Sequence, residues 1–125
     1  MEFFRELGSV MPPSALQQAL TIERLPQCCA QIDRALNSTG DQGEIYCLWG
    51  QFRVRREAIA GGVRFSLADC PNALAWTLTT GLPPDPARLV IHCTINRREH
   101  EPDFIESIEC FLDAWVEGMQ ALAPS

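Results

Sequence analysis

The sequence predicts an α+β two-layer sandwich: a four-stranded antiparallel meander with N-terminal and C-terminal helices packed on one face. Three observations carry this. Four segments between Glu44 and Asn96 alternate apolar and polar residues, the period of half-buried strands. Gly-, Pro- and Asn-containing stretches separate them at hairpin spacing. After Pro102 the apolar residues fall into one arc at helical spacing.

The 125 residues are read as one domain, long enough to bury a single core. Residues 1–13 are a lead-in, in which Phe3, Phe4 and Leu7 make one helical turn stopped by Gly8 and Pro12-Pro13. Ser14 is placed as the N-cap of a helix from Ala15 to Arg24, with Leu16, Ala19 and Leu20 inward. Pro26 opens a second helical piece running to Asn37, on which Cys29, Ile32 and Leu36 share a face. Ser38–Gly43 is a loop.

The strand segments are Glu44–Glu57, Val63–Ala68, Ala73–Thr80 and Arg88–Asn96. One parity is apolar: Leu48, Phe52, Val54, Val63, Phe65, Leu67, Leu74, Trp76, Leu78, Leu89, Ile91, Cys93 and Ile95. The other is polar, which puts one face on the core and one in water. Cys47, Trp49 and Val90 are exceptions on the polar side. Gly50 marks a bend or bulge in the first strand. The first hairpin is expected to close through Ile59-Ala60-Gly61-Gly62. That register sets Glu57 opposite Arg64 and Arg55 opposite Ser66, whereas a six-residue loop sets Arg55 against Arg64, like charge on like.

The last element spans Pro102 to Leu122. Phe104, Ile108, Phe111, Leu112, Trp115 and Met119 face inward, and Glu106, Glu109, Asp113 and Glu117 face out. Between them runs a stripe of small residues, Ser107, Cys110, Ala114, Gly118 and Ala121, which admits close approach of another element. The N-terminal helix or a second subunit fits there.

Charge is sorted along the chain. Arg53 to Arg98 holds seven of the ten arginines, and Glu99 to Ser125 holds seven acids and no base. There is no lysine. Arginine's planar fork suits carboxylates and phosphates; codon bias in a GC-rich bacterial genome gives the same composition. Net charge is −6, against nucleic-acid binding, which rests on neutralising phosphates. No apolar run has the ~18 residues of a membrane span, and the N-terminus lacks the pattern of a secretion signal. A cytoplasmic location with reduced thiols is expected.

The six cysteines match no zinc-binding spacing, and no metal or cofactor is expected. Cys47, Cys70 and Cys93 are 23 residues apart, without repeating neighbours. Cys47 and His92 are one nucleophile–base pair to test, but a meander separates them by roughly 14 Å, beyond hydrogen-bond reach. Glu99, His100, Glu101 and Asp103 make a weak metal set. Acids beside a helix N-terminus explain that cluster equally well.

The leading functional reading is a small binding or adaptor protein. Its outer sheet face, with Arg53, Arg55, Arg64, Thr77, Thr79, His92 and Thr94, takes an acidic protein or peptide or a small anion. A homodimer is expected, because the long first strand reads as an edge with Cys47 and Trp49 on its outer side. One alternative is a small-molecule-binding domain or minor enzyme with a pocket between sheet and helices near Trp76, Trp115 and Phe104. Another is an assembly subunit without ligand. The layout and acidic pI resemble those of small bacterial secretion chaperones and adaptors, a likeness of shape without a shared motif.

Overall fold

A computed structural model describes residues 1–8, 11–83, 85–96 and 101–122. Its strands are β1 (Glu2–Gly8), β2 (Ile32–Thr39), β3 (Gln42–Cys47), β4 (Gly50–Ile59), β5 (Gly62–Leu67), β6 (Ala75–Thr79) and β7 (Arg88–Thr94). The helices are α1 (Pro13–Ala19), α2 (Leu25–Cys28) and α3 (Pro102–Leu122), with a 3-10 turn at Ile22–Arg24. The strands form one antiparallel sheet in the order β1-β7-β6-β5-β4-β3-β2. One face packs against the helices and the other faces water. The α+β class therefore holds, but the sheet has seven strands and not four. Among the described residues no helix is long and apolar enough to cross a membrane.

The three missed strands lie in the first 50 residues, and each has a physical reason. The lead-in is β1, paired with β7 from Glu2↔Thr94 to Gly8↔Arg88. Phe3 and Leu7 turn inward and Phe4 outward, so a period of two ran beneath an apparent helical turn. The helix expected to reach Asn37 ends at Cys28, and Ile32–Thr39 is β2. A register shift between Ile32 and Arg34 stretches the spacing of inward residues, so Ile32 and Ala35 face Cys47 and Ile45. A bulge of this kind imitates helical periodicity. The supposed long strand Glu44–Glu57 is the hairpin β3–β4, closed by Cys47↔Gly50 around Leu48-Trp49. Gly50 sits at φ 115, open to glycine at no cost. The turn resets the parity, so Cys47 is buried inward and Leu48 is exposed. It also removes the ground for a dimer through this strand: β3 lies between β2 and β4, and the edges are β1 and β2.

The second half matches expectation closely. Ala58 pairs with Val63, Glu57 with Arg64 and Arg55 with Ser66. Pairing runs one step further, Ile59↔Gly62, which leaves Ala60-Gly61 as the turn. The inward residues of β5, β6 and β7 are buried with the apolar face of α3. Leu16, Leu20, Ile22 and Leu25 close the core and are fully buried. The small stripe on α3 receives the N-terminal helical segment: a Cβ at Gly118 would overlap the Cys28 carbonyl, so only glycine lets α2 approach there. Part of the acidic face of α3 meets β1. Arg5 donates from Nε to Asp113 at 2.9 Å and from Nη2 to Glu109 at 2.7 Å.

Candidate functional site

The middle of the space between α3 and the sheet is filled. Trp76 from β6, Trp115 and Phe111 from α3 and Phe65 from β5 are each less than 2 % exposed. Trp76 meets Phe111 edge-on at 5.1 Å and stacks near Phe65 at 5.4 Å; Trp115 lies 6.3 Å from Trp76. Trp76 Nε1 and Trp115 Nε1 are buried with no hydrogen-bond acceptor among the described residues. An unanswered buried donor costs about 1–3 kcal/mol, so the aromatic cluster carries two polar groups that its own side chains leave unserved.

Where α3 begins, the filling stops. The β3–β4 turn brings Trp49 over the helix, 4.9 Å from Phe111 and 6.1 Å from Phe104. Its orientation is fixed: Nε1 donates to Ser107 Oγ at 2.8 Å, and the Ser107 hydroxyl donates to the Phe104 carbonyl at 2.5 Å. Ser107 belongs to the small stripe, and its hydroxyl ties the indole to the helix backbone. Opposite Trp49 the β5–β6 connection supplies Cys70, Pro71 and Asn72. With Phe52, Leu67, Leu74 and Phe104 these residues line a cavity of about 190 Å³. Its wall is aromatic and aliphatic, and its side-chain polar groups are the indole N–H of Trp49, already engaged, the Cys70 thiol and the Asn72 amide. That amide has no hydrogen-bond partner among the described residues; the Asn72 backbone carbonyl takes the Asn96 N–H at 2.9 Å.

Of the three equally spaced cysteines, Cys70 lines this cavity, Cys93 lies deeper, opposite Trp76 on the neighbouring strand, and Cys47 is buried at the end of β3. Burial above all, with a smaller contribution from nearby Cys70, pushes the Cys47 thiol up and the Cys93 thiol up to about 12. Among the described residues no cluster of His, Cys, Asp or Glu has the arrangement to hold a metal ion. Of the set Glu99, His100, Glu101 and Asp103, the first two lie outside the described residues. Cys47 and His92 do not meet: one is buried inward on β3, the other lies on the outer face of β7, with three strands between.

The residues singled out on the outer face are all there, but they do not form one basic surface. Arg64 is paired with Glu57 at 3.2 Å. Thr77 lies between Arg64 and His92. His92 stacks on Phe4 with ring centroids 4.3 Å apart, and its Nε2 meets Glu2 Oε1 at 3.1 Å. Thr94 lies beside Glu2, and Thr79 faces Val90, next to Glu6 on β1. Arg53 has Asp69 at 3.8 Å, while Arg55 has no carboxylate within 4.0 Å among the described residues. Two of the acids that break up the face, Glu2 and Glu6, come from β1, and a reading that made β1 a lead-in missed those two.

No family model and no curated protein sequence matches this chain. Solved structures do. The protein XoxI from Bacillus cereus is 13% identical, with 98% of this chain on 94% of that one and a TM-score of 0.68. A START superfamily protein from Mycobacterium smegmatis is 10% identical, with 98% on 95% and a TM-score of 0.66. An uncharacterised protein from Bacillus thuringiensis is 13% identical, with 98% on 96% and a TM-score of 0.62. At these identities the likeness is one of fold: this chain shares its whole architecture, sheet and long C-terminal helix together, with a START superfamily protein.

Proposed function

We propose that the protein binds a small, mostly apolar molecule with one polar group, at the mouth between the start of α3 and the sheet. The observation that carries this is the cavity bounded by Trp49, Phe52, Phe104, Leu67 and Leu74, with the Asn72 amide free beside it. An apolar wall with a few convergent polar groups is the usual make-up of a ligand site. Size narrows the ligand class. Drug-sized ligands occupy about 300–1,000 Å³, and a cavity of roughly 150 Å³ takes a benzene. The present cavity, about 190 Å³, suits one substituted ring or a short branched chain. Among the described residues its lining holds no carboxylate, histidine or arginine, which favours binding over acid–base catalysis. The fold agrees, since it sets one long helix against the sheet and leaves the end of that gap for side chains to close or leave open. This reading takes precedence over an adaptor built on the whole outer face, whose arginines are interleaved with acids.

The three indole N–H groups make the test direct. Phenol, cyclohexanol and indole are titrated into labelled protein while the Trp49, Trp76 and Trp115 indole signals are followed by NMR. A saturable shift of Trp49 is expected, and the variant Cys70→Trp, which fills the cavity from a half-exposed turn, loses it. If no probe gives a saturable shift, or the filled variant responds like the wild type, the proposal fails.

A further inference from the structure

A second concavity, of about 470 Å³, lies on the opposite face of the sheet, over β2, β3 and β4. The irregular register of β2, with a shift between Leu36 and Thr39 and Asn37 at φ 50, sets its outer wall. Asn37, Thr39, Gln42, Glu44, Arg53 and Arg55 line it. Arg53 and Arg55 are two residues apart on one strand, so they project from the same face about 7 Å from each other.

The arginines here differ from most others in the molecule. Arg5, Arg34, Arg56, Arg64 and Arg88 each have a carboxylate within 3.4 Å. Arg55 has none among the described residues, and its cross-strand neighbours, Gln42 and Ser66, are neutral. Arg53 meets Asp69 only at 3.8 Å, and that carboxylate already accepts the Arg53 backbone N–H at 2.9 Å. The groove's own acid is tied back: Glu44 accepts from Asn37 Nδ2 at 3.1 Å and from Gln51 Nε2 at 3.4 Å. The side chains of Thr39 and Gln42 hydrogen-bond to nothing among the described residues. In a chain of net charge −6, an arginine left without an acid beside two uncommitted polar groups is a concentration of unused donors.

We infer that this groove is a binding site for a small oxyanion, a phosphate or carboxylate group of a small molecule. Arg55 is its main ligand and Arg53, Thr39 and Gln42 support it. The guanidinium fork gives paired, charge-assisted hydrogen bonds to either group. A small ligand fits better than an extended acidic peptide: beyond the groove the same face presents Glu57, Glu2 and Glu6, and the whole molecule is acidic, so a long polyanion is repelled where a single group is not. The site stands on residues that the apolar cavity does not use, and the two readings succeed or fail separately.

The experiment is NMR titration of labelled full-length protein at low salt with inorganic phosphate, with succinate and with a hexaglutamate peptide. Saturable shifts of the Arg53, Arg55 and Thr39 amides are expected with phosphate or succinate, and the tighter of the two names the group. Arg55→Gln should weaken binding roughly 10- to 100-fold, the usual worth of a hydrogen bond to a charged group. Arg55→Lys should recover part of it. Arg64→Gln, whose arginine is already paired with Glu57, should leave it unchanged. Arg55 is exposed and Arg64 partly so, and neither belongs to the core, so the three variants fold. The inference is overturned if neither small anion saturates, if only the peptide binds, or if Arg64→Gln weakens binding as much as Arg55→Gln.

Discussion

The middle and the mouth of the space between α3 and the sheet are bounded by the same two layers, yet one is packed solid and the other holds a cavity. In the middle, facing positions carry Trp76, Phe65, Phe111 and Trp115, and four large rings close a gap that strands and helix alone would leave. At the mouth, the β5–β6 connection offers Cys70, Pro71 and Asn72 where a ring would be needed, and Trp49 and Phe104 lean on one another from the other side. The fold sets the gap and the side chains decide whether it is filled. Function in such an architecture is therefore settled by a handful of residue volumes, and a likeness of fold leaves the ligand open.

The largest expected effect is in the middle. Trp115→Ala should cost about 3–5 kcal/mol, as truncations of buried large aromatics do. Phe104 is only half-buried, so Phe104→Ala at the mouth should cost less, on the order of 1.5 kcal/mol or below. Urea denaturation of both variants measures the difference. Equal losses would mean that the mouth is as tightly packed as the middle. Next in size is Gly118→Ala. The added methyl meets the Cys28 carbonyl, part of the backbone, which has no flexible end to yield. Overpacking of this kind typically costs about 1–3 kcal/mol. Trp49→Phe at the mouth keeps most of the ring but loses the hydrogen bond to Ser107. About 0.5–1.5 kcal/mol is expected from that loss, and Ser107→Ala on top of it should cost less than Ser107→Ala alone, since only its bond to the Phe104 carbonyl is then left to lose.

The C-terminal half was legible residue by residue. Clean alternation in β5, β6 and β7 and the broad apolar arc of α3 have no competing period, and the like-charge clash of Arg55 with Arg64 was enough to fix the first hairpin's register. The N-terminal half misled for local reasons. A bulge after Ile32 gave strand β2 the spacing of a helix, and a two-residue turn at Leu48-Trp49 was hidden inside an alternation that ran on through it. The mouth inherits the second fault. Phe104 was named as a pocket residue from the helix pattern, but Trp49 was set on the wrong face, and the Cys70–Asn72 wall was read only as turn chemistry. The 23-residue spacing of Cys47, Cys70 and Cys93 was a usable signal: in a sheet of short antiparallel strands, a step of two strands, one hairpin, returns the chain towards the same end.

Those thiols give the finest test of the difference, because they report it without disturbing the core. Cys110 is exposed on α3, Cys70 is half-buried at the mouth, and Cys29 and Cys93 are fully buried in the middle. Burial pushes Cys29 and Cys93 up to about 12 from an ordinary 9.0. Only a thiolate is nucleophilic. Alkylation near neutral pH, followed by mass spectrometry, should therefore label Cys110 first, Cys70 more slowly and the two buried thiols last. A ligand in the apolar cavity should slow Cys70 alone, while phosphate in the outer groove leaves it untouched. The same thiols should lower stability at alkaline pH. Their folded values lie above the unfolded one, so they leave stability intact below 9.0 and reduce it as pH rises from there towards 12, where the unfolded chain releases protons that the folded chain still holds. Labelling of Cys93 as fast as Cys70 under native conditions would show that the middle opens as readily as the mouth, and the cavity would then be one moment of a fluctuating core and not a site of its own.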